Sequence, residues 1–462
     1  MEQFANIEDK TATAHSAVQK PAEWTVALYL GVVTDVDGPN GRIGAEQKAR
    51  KLEALKAETK GSPVTIVADV LDRAGVDPLK SPEAGSLVVP AKPRYEVTRL
   101  VIHDGVEEVV SHRKSKSTAG NIADLMDYAR KELPAHKMAV VINAHGAGDQ
   151  GVNGGGINEL ADGYLSPAEL AVVLRKPVAD GTAASQPLAP QQDKIEFLDF
   201  DGCFGAQLGQ VKAVSSAANN LVASETWERS YVIGDGRVDD AQNLNSWLSA
   251  LIANPQMDGR QLAKEVVAQA DRKANATITD ATPTLASFDL QAGLKRFDEL
   301  LNNVGSALST VEKTGKNKAV LEAIIDRQVN VTSLDKTEPM QGSLSKYDLD
   351  DFLKDVQREI RNGRLRDPGG QLRRSVVALD KELQNRNGFV SNYHFAGIHP
   401  QPFNGTPVAL APLHGLSIYL PTFDARSGHV PDRELRYVYA LESDGGTTGW
   451  SSFLQSMVRV EE

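Results

Sequence analysis

Short apolar segments alternate with segments of helical periodicity along the first half of the chain. Residues 24–33, 138–143 and 195–200 are apolar and rich in residues that favour buried strands. Residues 118–133 and 206–219 separate predicted strands and carry apolar side chains at helical spacing. Parallel strands of one sheet need a crossover connection, which is usually a helix. The alternation therefore predicts an α/β fold with a mostly parallel sheet that helices cover on both faces.

Residues 95–112 break this alternation. Two segments with strand character flank Asp104-Gly105, a residue pair that favours the tight turn of a β-hairpin. We therefore expect two antiparallel strands in this part of the chain, joined directly and without a helix.

The second half of the chain is richer in helical patterns than in strands. Its predicted helices include residues 259–273, 289–308 and 347–361. One strong strand signal comes late, at residues 416–420. We therefore divide the chain into an N-terminal tail (1–23), a sheet-bearing core (24–242) and a largely helical C-terminal lobe (243–462). The late strand is a candidate to extend the sheet.

The composition excludes some classes of partner. With 61 acidic against 50 basic residues the chain has a net charge of −11, whereas a nucleic-acid binder needs a basic face. No segment is apolar over the roughly 20 residues that a membrane-spanning helix needs. A single cysteine rules out an internal disulfide and favours a reducing compartment. We expect a cytoplasmic protein that binds neither nucleic acid nor membrane, with secretion as the alternative if a signal peptide has been removed.

Two of the predicted strands run into residues that can carry out catalysis. The strand at residues 138–143 continues into His145-Gly146, and the strand at residues 195–200 continues into Cys203, the sole cysteine. Ligands bind at the carboxyl ends of the strands in an open α/β sheet, so an imidazole and a thiol meet there if the two strands are neighbours. A histidine beside a thiol stabilises the thiolate and can later protonate a leaving amine. The main-chain N–H groups of Gly146 and Cys203 are candidates to bind an oxyanion.

The sequence around these residues resembles one group of peptidases. A strand ending in His-Gly, followed by a second ending in Asp-x-Cys, is similar to the clan of caspases, legumains, gingipains and clostripain. Two further segments narrow the resemblance to the clostripain-like family, namely Trp24-Thr25-Val26-Ala27-Leu28-Tyr29-Leu30 and Gly415-Leu416-Ser417-Ile418-Tyr419-Leu420-Pro421. The resemblance covers most of the chain, from about Trp24 to Pro421.

The resemblance implies a caspase-like fold and a cysteine endopeptidase that cleaves a protein or peptide substrate after Arg or Lys. It implies that His145 is the general base and acid, that Cys203 is the nucleophile, and that Asp201 lies near the pocket for the basic side chain. Gly202, where the family more often has alanine, leaves the shape of that pocket open. Relatives are cut into two chains between their catalytic residues, so Arg175 is the candidate site of self-cleavage. The sequence requires no cofactor, and it leaves a calcium requirement and the oligomeric state open.

Other interpretations exist for several of these residues. A lone cysteine is usually a small buried side chain without a chemical role. His414-Gly415 is a second His-Gly pair, but it opens a strand instead of closing one, which indicates a structural role. Asp201 has the alternative of capping the next helix or pairing with an arginine. The acidic residues that follow the next predicted strand are further candidates to line the pocket: Glu225, Glu228 and Asp235.

Two other functions are compatible with the same resemblance. One is a caspase-type regulatory protease with a narrow protein target, such as a cell-death or defence effector. The other is a catalytically silent relative that serves as a binding scaffold. The first alternative predicts that few protein substrates are cleaved, and the second predicts an unreactive Cys203.

Overall fold

The computed structural model describes most of the chain between residues 22 and 458. The described residues are 22–31, 53, 55–73, 95–148, 151–153, 164–175, 194–226, 231–232, 238–239, 244–274, 284–328, 331, 346–395, 398–400, 407–409, 413–421, 442 and 448–458. Within them, a nine-stranded sheet lies between two layers of helices.

The sheet has a parallel centre and antiparallel edges. Its strands, in the order in which they lie side by side, are β14 (Val390–Phe395), β12 (Thr284–Asp289), β9 (Asn220–Ala223), β8 (Phe197–Asp199), β5 (Ala135–Asn143), β1 (Ala22–Leu30), β2 (Val64–Arg73), β3 (Tyr95–His103) and β4 (Val106–Lys114). The five central strands, from β9 to β2, are parallel, and the two strands at each edge are antiparallel to their neighbours. The predicted α/β fold with a parallel core is therefore confirmed.

Helices cover both faces of this sheet. In the described residues they are α1 (Thr118–Glu132), α2 (Pro167–Arg175), α3 (Leu208–Val214), α4 (Leu244–Ala253), α5 (Gly259–Ala274), α6 (Ala292–Glu312), α7 (Gly315–Asp326), α8 (Leu349–Arg361), α9 (Gln371–Leu383) and α10 (Gly449–Val458). Alternate side chains of β1 point to opposite faces. Ala27 and Tyr29 belong to the apolar cluster that includes residues of α1–α3 and α6–α10, whereas Val26 and Leu28 belong to the cluster that includes residues of α4 and α5. None of these helices combines the length and apolar character that crossing a membrane requires.

Short strand pairs complete the described strands. They are β6 (His145–Gly146) with β7 (Val152–Asn153), β10 (Tyr231–Val232) with β11 (Val238–Asp239), β13 (Lys346–Asp348) with β17 (Ser417–Tyr419), and β15 (Ile398–Pro400) with β16 (Pro407–Ala409). The predicted hairpin is also present: His103 pairs with Val106, and Asp104 and Gly105 between them both have positive φ, as a tight hairpin turn requires.

The late strand does not extend the main sheet, which corrects that expectation. β17 pairs with β13 and lies near the start of α3, where the Ser417 N–H donates to the carbonyl oxygen of Ala206 at 3.0 Å. The edge of β9 where a further strand could pair is occupied by β12, and β14 follows it. The strands from the second half that join the sheet are thus β12 and β14. The division of the chain at residue 242 stays a prediction.

Glu442 joins several elements of the second half. Its carboxylate accepts hydrogen bonds from Lys346 Nζ at 3.1 Å and from the Tyr419 N–H at 2.7 Å. The indole N–H of Trp450 donates to the same carboxylate at 3.1 Å. Glu442 and Lys346 are each about 1% exposed, so this ion pair is fully buried. It ties β13, β17 and α10 together.

We expect Glu442→Ala to lower the free energy of unfolding by about 3–5 kcal/mol, because it breaks a buried ion pair by removing one partner. Urea unfolding followed by circular dichroism measures this loss. Glu299→Ala is the matched control, since Glu299 and Arg296 form an exposed pair on α6 and such pairs contribute only about 0–1 kcal/mol. Equal losses of unfolding free energy in the two variants would contradict the prediction that buried Glu442 stabilises the fold more than exposed Glu299 does.

Candidate active site

The ends of β5 and β8 bring the two predicted catalytic residues to the same edge of the sheet. These strands are parallel neighbours, and their last paired residues are Val141 and Asp199. His145 follows β5 after one intervening residue, and Cys203 lies in the turn after β8. Both residues are half-buried.

Two glycines bring the strand-end loops into main-chain contact. A Cβ atom on Gly146 would lie 2.0 Å from the carbonyl oxygen of Cys203, and one on Gly202 would lie 2.6 Å from the carbonyl oxygen of Ala144. Both distances are too short for a real side chain, so only glycine fits at these positions. In addition, the Ala144 N–H donates to the carbonyl oxygen of Asp201 at 3.3 Å. The two loops are therefore packed as one unit.

The turn that carries Cys203 is held from two sides. Phe204 is buried and has a φ of +59°, a left-handed conformation that is unusual for a bulky residue and is kept only where the surroundings enforce it. Its N–H donates to the carbonyl oxygen of Thr226, just beyond β9, at 2.9 Å. On the other side, the carbonyl oxygen of Ala206 accepts from the Ser417 N–H of β17. These contacts fix where the Cys203 main chain lies.

Solved structures with the same architecture match nearly the whole chain. The X-ray structure of an inactive zymogen C11 protease from Parabacteroides distasonis aligns over 95% of this chain and 99% of its own, with a TM-score of 0.55 and 13% identity. This chain has the fold of the C11 cysteine proteases. A secreted C11 cysteine protease from Bacteroides thetaiotaomicron, in complex with an irreversible peptide inhibitor, aligns over 92% of this chain and 99% of its own, with a TM-score of 0.54 and 13% identity.

A further structure of a secreted C11 cysteine protease from Bacteroides thetaiotaomicron, "iotapain", aligns over 94% of this chain and 100% of its own, with a TM-score of 0.50 and 14% identity. No family model and no curated protein matches the sequence. The C11 proteases are the clostripain-like peptidases, so the caspase-like, clostripain-type fold that the sequence predicts is confirmed. At this level of identity the likeness shows the fold alone.

Asp201 lies at the same edge of the C11-type sheet as Cys203. It is 7% exposed, and its Oδ2 accepts a hydrogen bond from Nδ2 of Asn143, at the end of β5, at 2.7 Å. The contact ties the loop after β8 to the end of β5. Asp199, two residues earlier, is buried within β8 itself. The hydrogen bond thus holds Asp201 in place in the loop that carries the candidate nucleophile.

Tyr164 is a residue of this C11-type site that sequence reasoning missed. Its side chain is half-buried, and burial together with the nearby charge of Cys203 raises the pKa of its phenol. The following residue, Leu165, pairs with Val152 of β7, which itself pairs with Gly146. Tyr164 is thereby brought towards the thiol from a separate part of the chain. No motif marks it, because a lone tyrosine before a helix carries no spacing signal.

His414, the rival histidine, belongs to an acidic cluster and not to the Cys203 loop. Its Nδ1 lies 3.1 Å from Asp348 Oδ1 and its Nε2 lies 3.2 Å from Asp350 Oδ2. Its main-chain N–H also donates to Asp348, which caps α8 by accepting from the Asp351 N–H at 2.8 Å. The structural role that the sequence indicates for His414 agrees with these contacts.

Among the described residues, the side chains of Asp348, Asp350 and His414 lie close enough together to hold a metal ion. However, Lys354 Nζ already lies 2.5 Å from Asp350 Oδ2. Asp348 is likewise engaged by the main-chain N–H groups of His414 and Asp351. The chain thus supplies its own cation to these carboxylates, and they do not form an open coordination site.

Glu225 does not line an open pocket, which corrects that candidate assignment. It is fully buried, and its Oε2 accepts from the Gly415 N–H at 2.6 Å. Burial, reinforced by the charge of the adjacent Asp348, raises the pKa of Glu225 well above its ordinary value. Glu225 therefore anchors the main chain before β17 through this hydrogen bond. Glu228 and Asp235 lie outside the described residues.

The cluster gives the fold a measurable pH dependence. Partial burial lowers the pKa of His414, but the hydrogen bond to Asp348 and the charges of Asp348 and Asp350 outweigh this effect and raise it. A raised pKa in the folded state means that protonated His414 stabilises the fold below its unfolded pKa of about 6.5. This contribution is lost as the pH rises through the folded pKa.

We expect His414→Gln to destabilise the protein by about 1.5–3 kcal/mol near pH 6, the usual contribution of a hydrogen bond to a charged group. The difference from the wild type should shrink steadily as the pH rises towards about 9. Thermal unfolding of both proteins across this range measures it. His136→Gln serves as the control because His136 is exposed at the start of β5. A difference that stays constant with pH would contradict the assignment.

Arg175, the candidate site of self-cleavage, is the last residue of α2 and is exposed. Residues 176–193, which follow it in the sequence, lie outside the described residues. The structure thus places Arg175 at the end of a helix on the polypeptide that connects the two catalytic strand ends.

Proposed function

We propose that this protein is a cysteine endopeptidase that cleaves protein or peptide substrates after Arg or Lys. The observation that carries the proposal is the contact of Gly146 with Cys203, which holds the loop of His145 against the loop of the sole cysteine. An imidazole and a thiol at the carboxyl ends of adjacent parallel strands are the groups that acyl transfer needs. The likeness to a C11 cysteine protease with an irreversible peptide inhibitor supports the same chemistry.

In this mechanism Cys203 and His145 share one proton. His145 takes the thiol proton, and the Cys203 thiolate attacks the scissile carbonyl carbon. The main-chain N–H groups of Gly146 and Cys203 stabilise the oxyanion that forms. The C–N bond then breaks, the imidazolium gives its proton to the leaving amine, and a thioester remains. Water activated by His145 hydrolyses the thioester and regenerates the thiol.

Asp201 accounts for the preference for basic side chains. Its carboxylate is almost fully buried at the edge where Cys203 lies, and a guanidinium or ammonium group that reaches it gains a charged hydrogen bond. An apolar side chain offers the carboxylate no such bond, and an acidic side chain is repelled by it. The net charge of −11 adds a weak attraction for basic substrates.

Cleavage of a complex peptide mixture tests the proposed function. The purified protein is incubated with peptides derived from a whole proteome, and new termini are mapped by mass spectrometry. We expect many cleaved bonds, nearly all after Arg or Lys, and none with Cys203→Ala. A handful of cleaved proteins would favour the regulatory protease, and an absence of cleavage would favour the scaffold.

We expect the protein to cleave itself after Arg175, because this exposed residue ends a helix and precedes the loop between the catalytic strands. A C11 relative has been crystallised as an inactive zymogen, which supports activation by such a cut. Intact mass spectrometry of the wild type should give two chains, whereas Cys203→Ala and Arg175→Gln stay intact. Full activity of an uncut wild type would contradict self-processing but would not contradict the proposed peptidase activity.

A further inference from the structure

The hydroxyl group of Thr284, the first residue of β12, binds three consecutive residues that follow β9. Its Oγ1 accepts from the Glu225 N–H at 3.1 Å and from the Thr226 N–H at 3.3 Å. It also forms hydrogen bonds with the hydroxyl groups of Ser224 at 2.8 Å and of Thr226 at 3.1 Å. All four residues are at most 1% exposed. One buried hydroxyl thus holds residues 224–226 together.

The pairing of β9 with β12 explains why a side chain has this role. The last main-chain pair at this end joins Ala223 to Ala286 in antiparallel register. Two residues further along, the same register sets Thr284 opposite Glu225, whose N–H donates to the threonine hydroxyl. Buried N–H groups need a hydrogen-bond acceptor. A side-chain oxygen therefore supplies the acceptor where the strand pairing ends.

Residues 224–226 in turn hold the loop that carries Cys203. The Phe204 N–H donates to the carbonyl oxygen of Thr226 at 2.9 Å, and the Ala206 N–H donates to that of Ser224 at 2.8 Å. Phe204 directly follows Cys203 in the sequence. Two hydrogen bonds in series, through Thr226, therefore connect the Thr284 hydroxyl to the residue after the candidate nucleophile.

We propose that Thr284 is a positioning residue of the candidate active site. Its hydroxyl fixes residues 224–226, and these fix the main chain at Cys203 and the direction of the Cys203 N–H. An oxyanion hole is effective because its donors already point to the position where the charge develops. The inference rests on the proposed peptidase activity, in which the Cys203 N–H is one of two such donors. Thr284 acts through residues 224–226 and does not itself touch the substrate.

Thr284→Val tests the proposal, since valine is close to threonine in shape and lacks the hydroxyl. With a fluorogenic peptide that has Arg at P1, we expect kcat to fall about 10- to 100-fold, somewhat less than the loss of a whole oxyanion donor. KM should change by less than about threefold, because the affected interaction is made in the transition state.

Two further variants show whether the hydroxyl at this position is responsible. Thr284→Ser keeps the hydroxyl and should keep kcat within about threefold of the wild type. Ser287→Ala is the matched control on the same strand. It removes a fully buried hydroxyl that forms a 2.8 Å hydrogen bond with Ser391 of β14, and it should leave kcat unchanged.

Two reagents that react with Cys203 separate positioning from a general disturbance of the site. The thiolate displaces iodide from iodoacetamide without forming an oxyanion, so the rate should stay within about twofold in Thr284→Val. With a peptide aldehyde, an S–C bond forms, the C=O π bond breaks, and its electron pair becomes the charge on the oxygen. The inhibition constant should therefore rise by about the factor by which kcat falls. Equal slowing of both reactions would contradict positioning.

Hydrogen exchange followed by mass spectrometry tests the connection without relying on activity. Thr284→Val should speed exchange at least about tenfold in the peptide that contains Phe204 and Ala206, whereas Thr284→Ser and Ser287→Ala should not. Unchanged exchange would overturn the proposal, and so would an unchanged kcat in an active enzyme. A wild type that neither cleaves the peptide nor binds the aldehyde would overturn the proposed peptidase activity instead, and hydrogen exchange then decides whether Thr284 holds the loop.

Thr226→Val provides a second test should Thr284→Val fail to fold, which thermal unfolding checks. It removes the hydroxyl that bonds Thr284 and keeps the Thr226 carbonyl that accepts from Phe204. We expect a smaller effect of the same kind, about a threefold loss of kcat with faster exchange at Phe204. Wild-type kcat and wild-type exchange in this variant would overturn the proposal.

Discussion

Cys203→Ala should abolish peptide hydrolysis, and His145→Ala should lower kcat/KM by about 10²- to 10⁴-fold, the usual contribution of a positioned acid–base group. The alanine at position 203 removes the atom that forms the thioester. The alanine at position 145 leaves the thiol without its proton acceptor and the leaving amine without its acid. Fluorogenic peptides with Arg at P1 measure both effects.

His414→Gln is the matched control for this experiment. The His414 ring is held by Asp348 and Asp350 and lies outside the Cys203 loop, so most of the activity should survive at pH 7. Circular dichroism of each variant checks that the secondary structure is kept. Activity that survives His145→Ala and disappears with His414→Gln would mean that the wrong His-Gly pair has been assigned.

Asp201→Asn should reduce kcat/KM for substrates with Arg or Lys at P1 by roughly 30-fold or more, because loss of one partner of a buried charged pair costs about 2–5 kcal/mol. Asparagine keeps the size of the side chain, and its Oδ1 can still accept from Asn143. The fold should therefore be retained while the charge is lost. A panel of peptides that differ only at P1 measures the change in preference.

Asp199→Asn is the control, since Asp199 is the other acidic residue of this segment and lies within β8. It should leave the ratio of Arg to apolar cleavage close to that of the wild type. The rate at which iodoacetamide, a small reagent, alkylates Cys203 should also be similar in Asp199→Asn and Asp201→Asn. Equal cleavage of Arg and Asp peptides by the unaltered protein would end the assignment of Asp201 to specificity.

The parts of the fold that the sequence predicts are those set by local pattern. The segments that form β1, β5 and β8 are mostly apolar, because central parallel strands are covered on both faces. The hairpin at Asp104-Gly105 follows from the positive φ that its two turn residues need. From these strands the meeting of His145 and Cys203 also follows, since it requires only that β5 and β8 be neighbours.

What could not be predicted depends on contacts between distant segments. β12 and β14 are short and mixed in polarity; they pair with each other, and β12 also pairs with β9. The late strand has the same local pattern as a sheet strand, yet it pairs with β13 because β12 already covers the edge of β9. Pairing choices of this kind are tertiary and leave no mark in periodicity.

In the candidate active site, too, local sequence predicts some features, and contacts between distant segments determine the others. The hydrogen bond between Asn143 and Asp201 joins residues far apart in sequence, and the left-handed Phe204 is kept by the carbonyl of Thr226 on another strand. The position of Tyr164 near Cys203 depends on the pairing of Leu165 with Val152. These contacts decide the shape of the site, whereas motifs identify only its reactive groups.

The pH dependence of Cys203 alkylation tests the central claim most directly. Because Cys203 is the only cysteine, the mass added by iodoacetamide reports this thiol alone. A histidine that stabilises the thiolate should let the wild type react well below pH 8.5, about the ordinary pKa of a free cysteine, and His145→Ala should shift the rate profile up to that value. If both proteins instead share one profile centred near pH 8.5, His145 and Cys203 do not act as a pair.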